Sequence, residues 1–168
     1  MATLLQSTSP TDVIHTAASH RRHKALRATV VGGDALQLSE QLRALAESGV
    51  LAGRRRAGER PRIAFVFPGQ GSQWLGMGRA LYQREAAFRN TIDAFDSAFR
   101  PHWNESLVRL LREEPAVLLS SISFVQPSLV AVQASLASLW RAWGIEPEAV
   151  IGHSMGEVAA AFVAGALT

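Results

Sequence analysis

Glu148-Ala149-Val150-Ile151-Gly152-His153-Ser154-Met155-Gly156-Glu157-Val158-Ala159-Ala160-Ala161 is the stretch whose reading decides the fold. Its short apolar run, Ala149 to Ile151, predicts a buried strand, and Glu157 onward predicts a helix. Between them Gly152-His153-Ser154-Met155-Gly156 matches G-x-S-x-G, the pattern of a nucleophile elbow. In such an elbow a sharp strand-to-helix turn lifts a serine hydroxyl above the sheet. The two glycines have a steric reason, because side chains at Gly152 and Gly156 collide where strand and helix cross closely. Ser154 falls near the helix N-terminus, where free N–H groups and the dipole favour developing negative charge. The pattern is loose and a chance match is the bland alternative, but strand before and helix after favour a nucleophilic serine. The motif alone does not separate a hydrolase from an acyltransferase.

The second informative stretch lies upstream. Ile63-Ala64-Phe65-Val66-Phe67 is a continuous apolar run, as expected for a central parallel strand buried on both faces. It breaks into Pro68-Gly69-Gln70-Gly71-Ser72-Gln73-Trp74, where glycines let the backbone approach a ligand with N–H groups free for an oxyanion. The later Gly and Lys positions of a dinucleotide fingerprint or a Walker loop are missing.

Between the two stretches the pattern is helical. Phe88, Ile92, Phe95 and Phe99 form one apolar stripe closed off by Pro101, and Ser106 to Arg112 predicts a short helix ending before Pro115. From Val125, the positions Leu129, Val132, Leu136, Trp140 and Trp143 follow helical spacing to Gly144, a suitable C′ residue. Gln126 stands at the entrance of that helix; spacing alone favours a locally satisfied polar group over one facing a pocket. Strand, glycine loop, helices, strand, elbow and helix predict an α/β core with a parallel sheet. Both motifs then sit at the carboxyl ends of their strands, where such sheets bind ligands.

The first third of the chain reads differently. Thr11-Asp12 caps a helix through about His20, Leu26 to Val31 predicts a strand ended by Gly32-Gly33, and Asp34 opens a helix with Leu38, Leu42 and Leu45 on one face, stopped near Gly49. This is a small α/β unit. Ala52 to Pro61 (AGRRRAGERP) reads as an exposed linker, so residues 1–61 form a linker-like segment and 62–168 the main domain.

Composition narrows the function classes. With 168 residues, 48% of them apolar and 18% charged, the chain can bury a real core. It has no cysteine, hence no disulfide, thiolate nucleophile or cysteine metal site. His15, His20 and His23 cluster without a patterned carboxylate and read as surface residues, so no metal is expected. Basic residues gather at Arg21, Arg22, Lys24, Arg27 and Arg54 to Arg56, but without aromatic interleaving they read as a solvated surface rather than a nucleic-acid interface. Met1 to Pro10 lacks the n- and h-regions of a signal peptide. The uncharged run Pro115 to Trp140 carries Ser120, Ser121, Ser123, Gln126, Pro127, Ser128 and Gln133, against a bilayer span. A cytoplasmic location is the default expectation.

Phe65-Val66-Phe67-Pro68-Gly69-Gln70-Gly71-Ser72-Gln73-Trp74, Gly76-Met77-Gly78 and Gly152-His153-Ser154-Met155-Gly156-Glu157, taken together, resemble the malonyl-CoA:acyl-carrier-protein transacylase family. Val125-Gln126-Pro127 and Leu139-Trp140-Arg141-Ala142-Trp143-Gly144 are similar, more narrowly, to acyltransferase domains of modular type I polyketide synthases. Asp12 to Gly49 is similar to the linker between ketosynthase and acyltransferase there. The resemblance implies an incomplete hydrolase-like core. Ser154 takes the acyl group from coenzyme A as an ester, Gln70 and Met155 supply oxyanion-hole N–H groups, and Gln126 lies near the acyl pocket. It implies no bound cofactor, acyl-CoA as donor, and the phosphopantetheine thiol of an acyl carrier protein as acceptor. The family's general-base histidine, its carboxylate-holding arginine and its small ferredoxin-like subdomain match nothing up to Thr168, so the chain is expected to act poorly alone. The missing acyltransferase half or other synthase domains are then expected partners. The competing readings are an α/β-hydrolase-type esterase, for which FPGQGSQW is a poor oxyanion loop, and a non-catalytic remnant or docking fragment of a synthase.

Overall fold

The structure is a computed structural model and describes residues 1–22, 24, 26–48, 53–54, 61–113 and 120–168. The chain divides into two compact units, Met1–Arg60 and Pro61–Thr168. In the first, helix α1 (Pro10–Ser19) starts with proline at its first position, where the fixed φ suits a helix and the missing N–H is not needed. The start therefore lies at Ser9-Pro10, slightly before the Thr11-Asp12 cap expected from sequence. Strand β1 (Leu26–Arg27) pairs antiparallel with β2 (Gly53–Arg54), and helix α2 (Ala35–Ser48) lies between them in the chain. Asp34 accepts the Gln37 N–H through its carboxylate at 2.9 Å and so opens α2. Leu5, Val13 and Leu38 make this unit's core, with Val30 and Leu42 against it.

Two expectations need correction here. The strand expected over Leu26 to Val31 pairs only over its first two residues. At Val31 a side chain replaces the ladder: the Val31 N–H donates to Gln41 Oε1 at 3.1 Å, and Gln41 Nε2 donates to the Val31 carbonyl at 2.6 Å. The stretch read as an exposed linker contributes β2, while residues 55–60, the expected helix stop at Gly49 and His23 lie outside the described residues.

The second unit runs β3 (Ala64–Phe67), α3 (Arg79–Arg84), α4 (Ala86–Phe99), α5 (Leu107–Glu113), α6 (Ile122–Ala142), β4 (Ala149–Gly152) and α7 (Gly156–Val163). β3 and β4 are parallel, with Ala64 opposite Ala149, Phe65 opposite Val150, Val66 opposite Ile151 and Phe67 opposite Gly152. The result is a mixed α/β unit around a small parallel sheet. Phe88 and Ile92 of α4 are wholly buried against Val125, Leu129 and Val132 of α6 and Leu107 and Leu111 of α5, while Phe95 and Phe99 are half-buried on the same cluster. Asp96, also on α4, is buried. Burial pushes its carboxyl up, but hydrogen bonds from the Ser106 hydroxyl, the Arg100 guanidinium and the Val108 and Leu107 N–H groups outweigh this and hold it below its ordinary value.

Helix α6 begins at Ile122 rather than Val125, so Gln126 and Pro127 sit inside it instead of at its entrance. Pro127, the sixth residue of the helix, has no N–H to give the Ser123 carbonyl, although the i→i−4 bonds have already begun with Val125 N–H to the Ser121 carbonyl. The helix ends as its sequence suggests, with Gly144 at φ +80° donating to the Arg141 carbonyl. Trp140 and Trp143 are exposed, not core; they meet edge to face with ring centres 5.3 Å apart. By length and composition α6 could cross a membrane, but ten of its residues are buried and it packs against α4 and α7.

The sheet is not buried on both faces as the apolar run Ile63 to Phe67 suggested. Phe65, Phe67 and Val150 pack on Ala137 of α6 and Ala159, Ala160 and Val163 of α7. The opposite face leaves Val66 68% and Ile151 56% exposed, because among the described residues the covering helices lie on one side only. The same holds for the strand Ala149 to Ile151, expected buried and observed half open.

Candidate active site

The turn between β4 and α7 is tight. One residue, His153, separates the end of the strand from Ser154, and Gly156 already begins the helix. Ser154 has φ +55°, the only positive φ at a non-glycine among the described residues. Such a value costs a serine about 1 kcal/mol or more, so the surroundings must impose it. They do so through two glycines. A Cβ at Gly152 would lie 2.4 Å from Glu157 Cα, and one at Gly156 would lie 2.1 Å from the Phe67 carbonyl oxygen. Helix α7 can therefore approach both strands only where side chains are absent. The Ser154 side chain is exposed, and its hydroxyl has no hydrogen-bond partner among the described residues.

The glycine turn after β3 comes to the same place. The His153 N–H donates to the Phe67 carbonyl at 3.0 Å, continuing the strand pairing one residue past Gly152. Gly69 is buried; a Cβ there would stand 3.2 Å from His153 Nδ1 and 3.3 Å from Ser154 Cβ. Gly71, at φ +120°, donates its N–H to Gln73 Oε1 at 2.8 Å and tightens the turn. Gln70 lies between these glycines, exposed, and its backbone N–H has no acceptor among the described residues. The Met155 N–H, just before α7, is likewise free. Met155 itself is half-buried and packs on the cluster containing Met77 and Phe88. The arrangement offers an exposed hydroxyl, two unpaired backbone donors in the segments beside it, and the positive end of a helix dipole.

Gln126 lies on a different element from this group. It is exposed in the second turn of α6, and no hydrogen bond joins it to Ser154 among the described residues. Of the histidines, His153 lies against Gly69, His102 is exposed beyond α4, and His15 and His20 belong to the first unit with ring centres 5.4 Å apart. None hydrogen-bonds Ser154 among the described residues.

One residue escaped the sequence reading. Gln133 on α6 is buried, and its Nε2 donates to the Pro68 carbonyl at 2.9 Å, while its Oε1 has no partner. It lines a cleft of about 420 Å³ with Phe65, Phe67, Met77, Trp74 and Trp140. The available signal was a glutamine inside the apolar stripe of Leu129, Val132 and Leu136, since a buried amide must find partners.

Comparison with known proteins gives the family. Residues 64–168 match the family model described as "Acyl transferase domain". The spectinabilin polyketide synthase system protein NorA of Streptomyces orinoci is 46% identical over 160 residues, which is 94% of this chain and 8% of that protein. The solved acyltransferase domain from module 8 of the salinomycin polyketide synthase is 40% identical with a TM-score of 0.72, over 99% of this chain and 41% of that one. The acyltransferase domain of SpnD, solved in complex with 2-(pent-4-yn-1-yl)malonyl, is 32% identical with a TM-score of 0.77, over 98% of this chain and 39% of that one. The chain thus spans less than a tenth of the curated relative and about two-fifths of the solved domains.

Proposed function

The chain belongs to the acyl transferase domain family as found in modular type I polyketide synthases, and from that premise we propose that it carries the nucleophile and oxyanion-binding part of an acyl-transfer site. The Ser154 hydroxyl oxygen attacks the thioester carbonyl of a malonyl- or methylmalonyl-type acyl-CoA. The carbonyl oxygen becomes an oxyanion that accepts hydrogen bonds from the Gln70 and Met155 N–H groups. Collapse breaks the C–S bond, and coenzyme A leaves as the thiol, carrying the proton lost by the serine. The phosphopantetheine thiol of an acyl carrier protein then attacks the Ser154 ester and frees the hydroxyl. No bound cofactor is needed for either step. Loss of one oxyanion donor costs about 3 kcal/mol of transition-state stabilisation.

One observation carries this reading: Gly69 packs on Ser154 Cβ, so the glycine turn and the elbow share one end of the sheet. The malonyl group in the SpnD domain supports the substrate class, and the free Ser154 hydroxyl supports a general base supplied by sequence outside these 168 residues. Without that base a serine is a weak nucleophile, so the isolated chain acylates slowly. Gln126 serves the acyl pocket only once further sequence closes over it. Residues 1–61 act as the segment joining a ketosynthase to this domain, and other synthase domains are its neighbours.

The test is intact-mass and peptide mass spectrometry after incubation with malonyl-CoA, alone and with the downstream part of a related acyltransferase domain added in trans. The expected result is a malonyl ester on Ser154 that is faint alone, stronger with the complement, and absent in Ser154→Ala. No ester on Ser154 under either condition overturns the reading.

A further inference from the structure

We infer that Gln133 is the positioning residue that aims the Gln70 N–H, an inference that rests on the oxyanion role proposed for that group. Gln133 sits mid-way along α6, far from the turn in sequence, yet its Nε2 reaches the Pro68 carbonyl at 2.9 Å. Because a carbonyl only accepts, the amide must present its N–H₂ end there, which leaves Oε1 buried and unpaired. A buried acceptor without a partner is unfavourable. The chain holds this orientation because the Pro68 carbonyl is otherwise an orphan: no other donor reaches it among the described residues.

The consequence follows from peptide geometry. The Pro68 carbonyl and the Gly69 N–H lie in one rigid plane. Fixing the carbonyl therefore fixes that plane, and only the two dihedrals of Gly69 separate it from the Gln70 N–H. Glycine is the residue least able to hold dihedrals by itself. Here Gly69 is hemmed in by His153 Nδ1, the His153 carbonyl and Ser154 Cβ, each 3.2–3.3 Å from where its own Cβ would be. The Pro68 oxygen also lies 2.7 Å from the Cβ position of Gly156, so the anchored carbonyl is wedged where α6, the turn and the start of α7 meet. Gln133 supplies one fixed point and the elbow supplies the other. The glutamine touches no reacting atom; it acts on the direction of a donor that does.

Two measurements separate this role from simple packing. On the 168-residue chain, ¹⁵N relaxation of Gln133→Met, which keeps the volume and removes the donor, is expected to lower the order parameters of Gly69, Gln70 and Gly71 from about 0.85 towards ~0.6 while α6 and α7 keep theirs. Gln133→Glu is expected to show the same loss at neutral pH and to regain order on acidification, when the carboxylic acid can donate to Pro68. Unchanged order at Gly69 to Gly71 in Gln133→Met overturns the inference. In a chimera where residues 61–168 replace the matching part of the salinomycin module 8 acyltransferase domain, Gln133→Met is expected to lower kcat about tenfold with KM within about twofold. Full kcat in that variant also overturns it. A chimera that is inactive with Gln133 intact counts against the acyl-transfer reading instead, and the relaxation result then decides the positioning role alone.

Discussion

The two faces of the β3–β4 sheet carry similar residues and meet different fates. On one, Phe65, Phe67 and Val150 pack on small side chains of α6 and α7; on the other, Val66 and Ile151 stand more than half exposed. The sequence offers no means of telling them apart, since Ile63 to Phe67 is apolar throughout. The difference teaches where the candidate site gets its rigidity. Everything that holds Ser154 and the glycine turn lies on the packed side or at the strand ends: the Gly156 approach to Phe67, the Gln133 anchor and the Gly69 contact. The open face contributes nothing to that geometry, and its exposed apolar residues are the kind of surface that further protein covers.

Substitutions can break or sharpen this contrast. Gly156→Ala strikes the packed side hardest, because its methyl would enter the Phe67 carbonyl at 2.1 Å. We expect about 4 kcal/mol or more of destabilisation, read from the urea midpoint, or failure to fold. A normally stable alanine variant would show that α7 can shift away from the strand without harm. Phe67→Ala empties a well-packed site and is expected to cost about 3 kcal/mol by the same measurement.

Asp96 tests whether helices away from the sheet matter as much. Its buried carboxylate accepts from Arg100 at 2.9 Å and from Val108 N–H at 3.4 Å, tying α4 to the start of α5. Its folded-state value lies below the ordinary carboxylate range. A depressed value means the contribution is present above the unfolded pKa, about 4, and is lost as pH falls through the folded one. Asp96→Asn is therefore expected to cost about 2 kcal/mol at pH 7 and to narrow the gap from the unsubstituted chain below pH 4 in urea titrations. An equal gap at both pH values would remove the carboxylate's charge from the account. The smallest effect is expected on the open face, where Val66→Thr should change stability by no more than ~0.5 kcal/mol while raising solubility. A loss comparable to that of Phe67→Ala would mean the open face is covered in solution, by a second copy or a partner.

Legibility followed the range of the physics involved. The turns at Gly69–Gly71 and Gly152–Gly156 could be read because their steric demands are local to a few residues. So could the stripe of Phe88 and Ile92 and the helix stop at Gly144, which need only a 3.6-residue period and one left-handed glycine. The exposure of Trp140 and Trp143 could not be read, because periodicity names a side of a helix but not how far along its neighbours extend. The short strand at Leu26 was misjudged because β-branched composition cannot foresee that Gln41 will occupy the backbone of Val31. Gln133 went unnoticed because its partner is a carbonyl far away in the chain.

By itself the sequence determined the tight glycine turns, the serine between strand and helix, and the family to which the chain belongs, because sterics at a few adjacent residues and the paired motifs allow little else. Only the tertiary structure decided that Gly69 rests on Ser154, that one sheet face is left open, and that Gln133 reaches Pro68. Those facts depend on strand register and on which helix lies over which face. Contacts between residues distant along the chain settle both, and no local pattern encodes them.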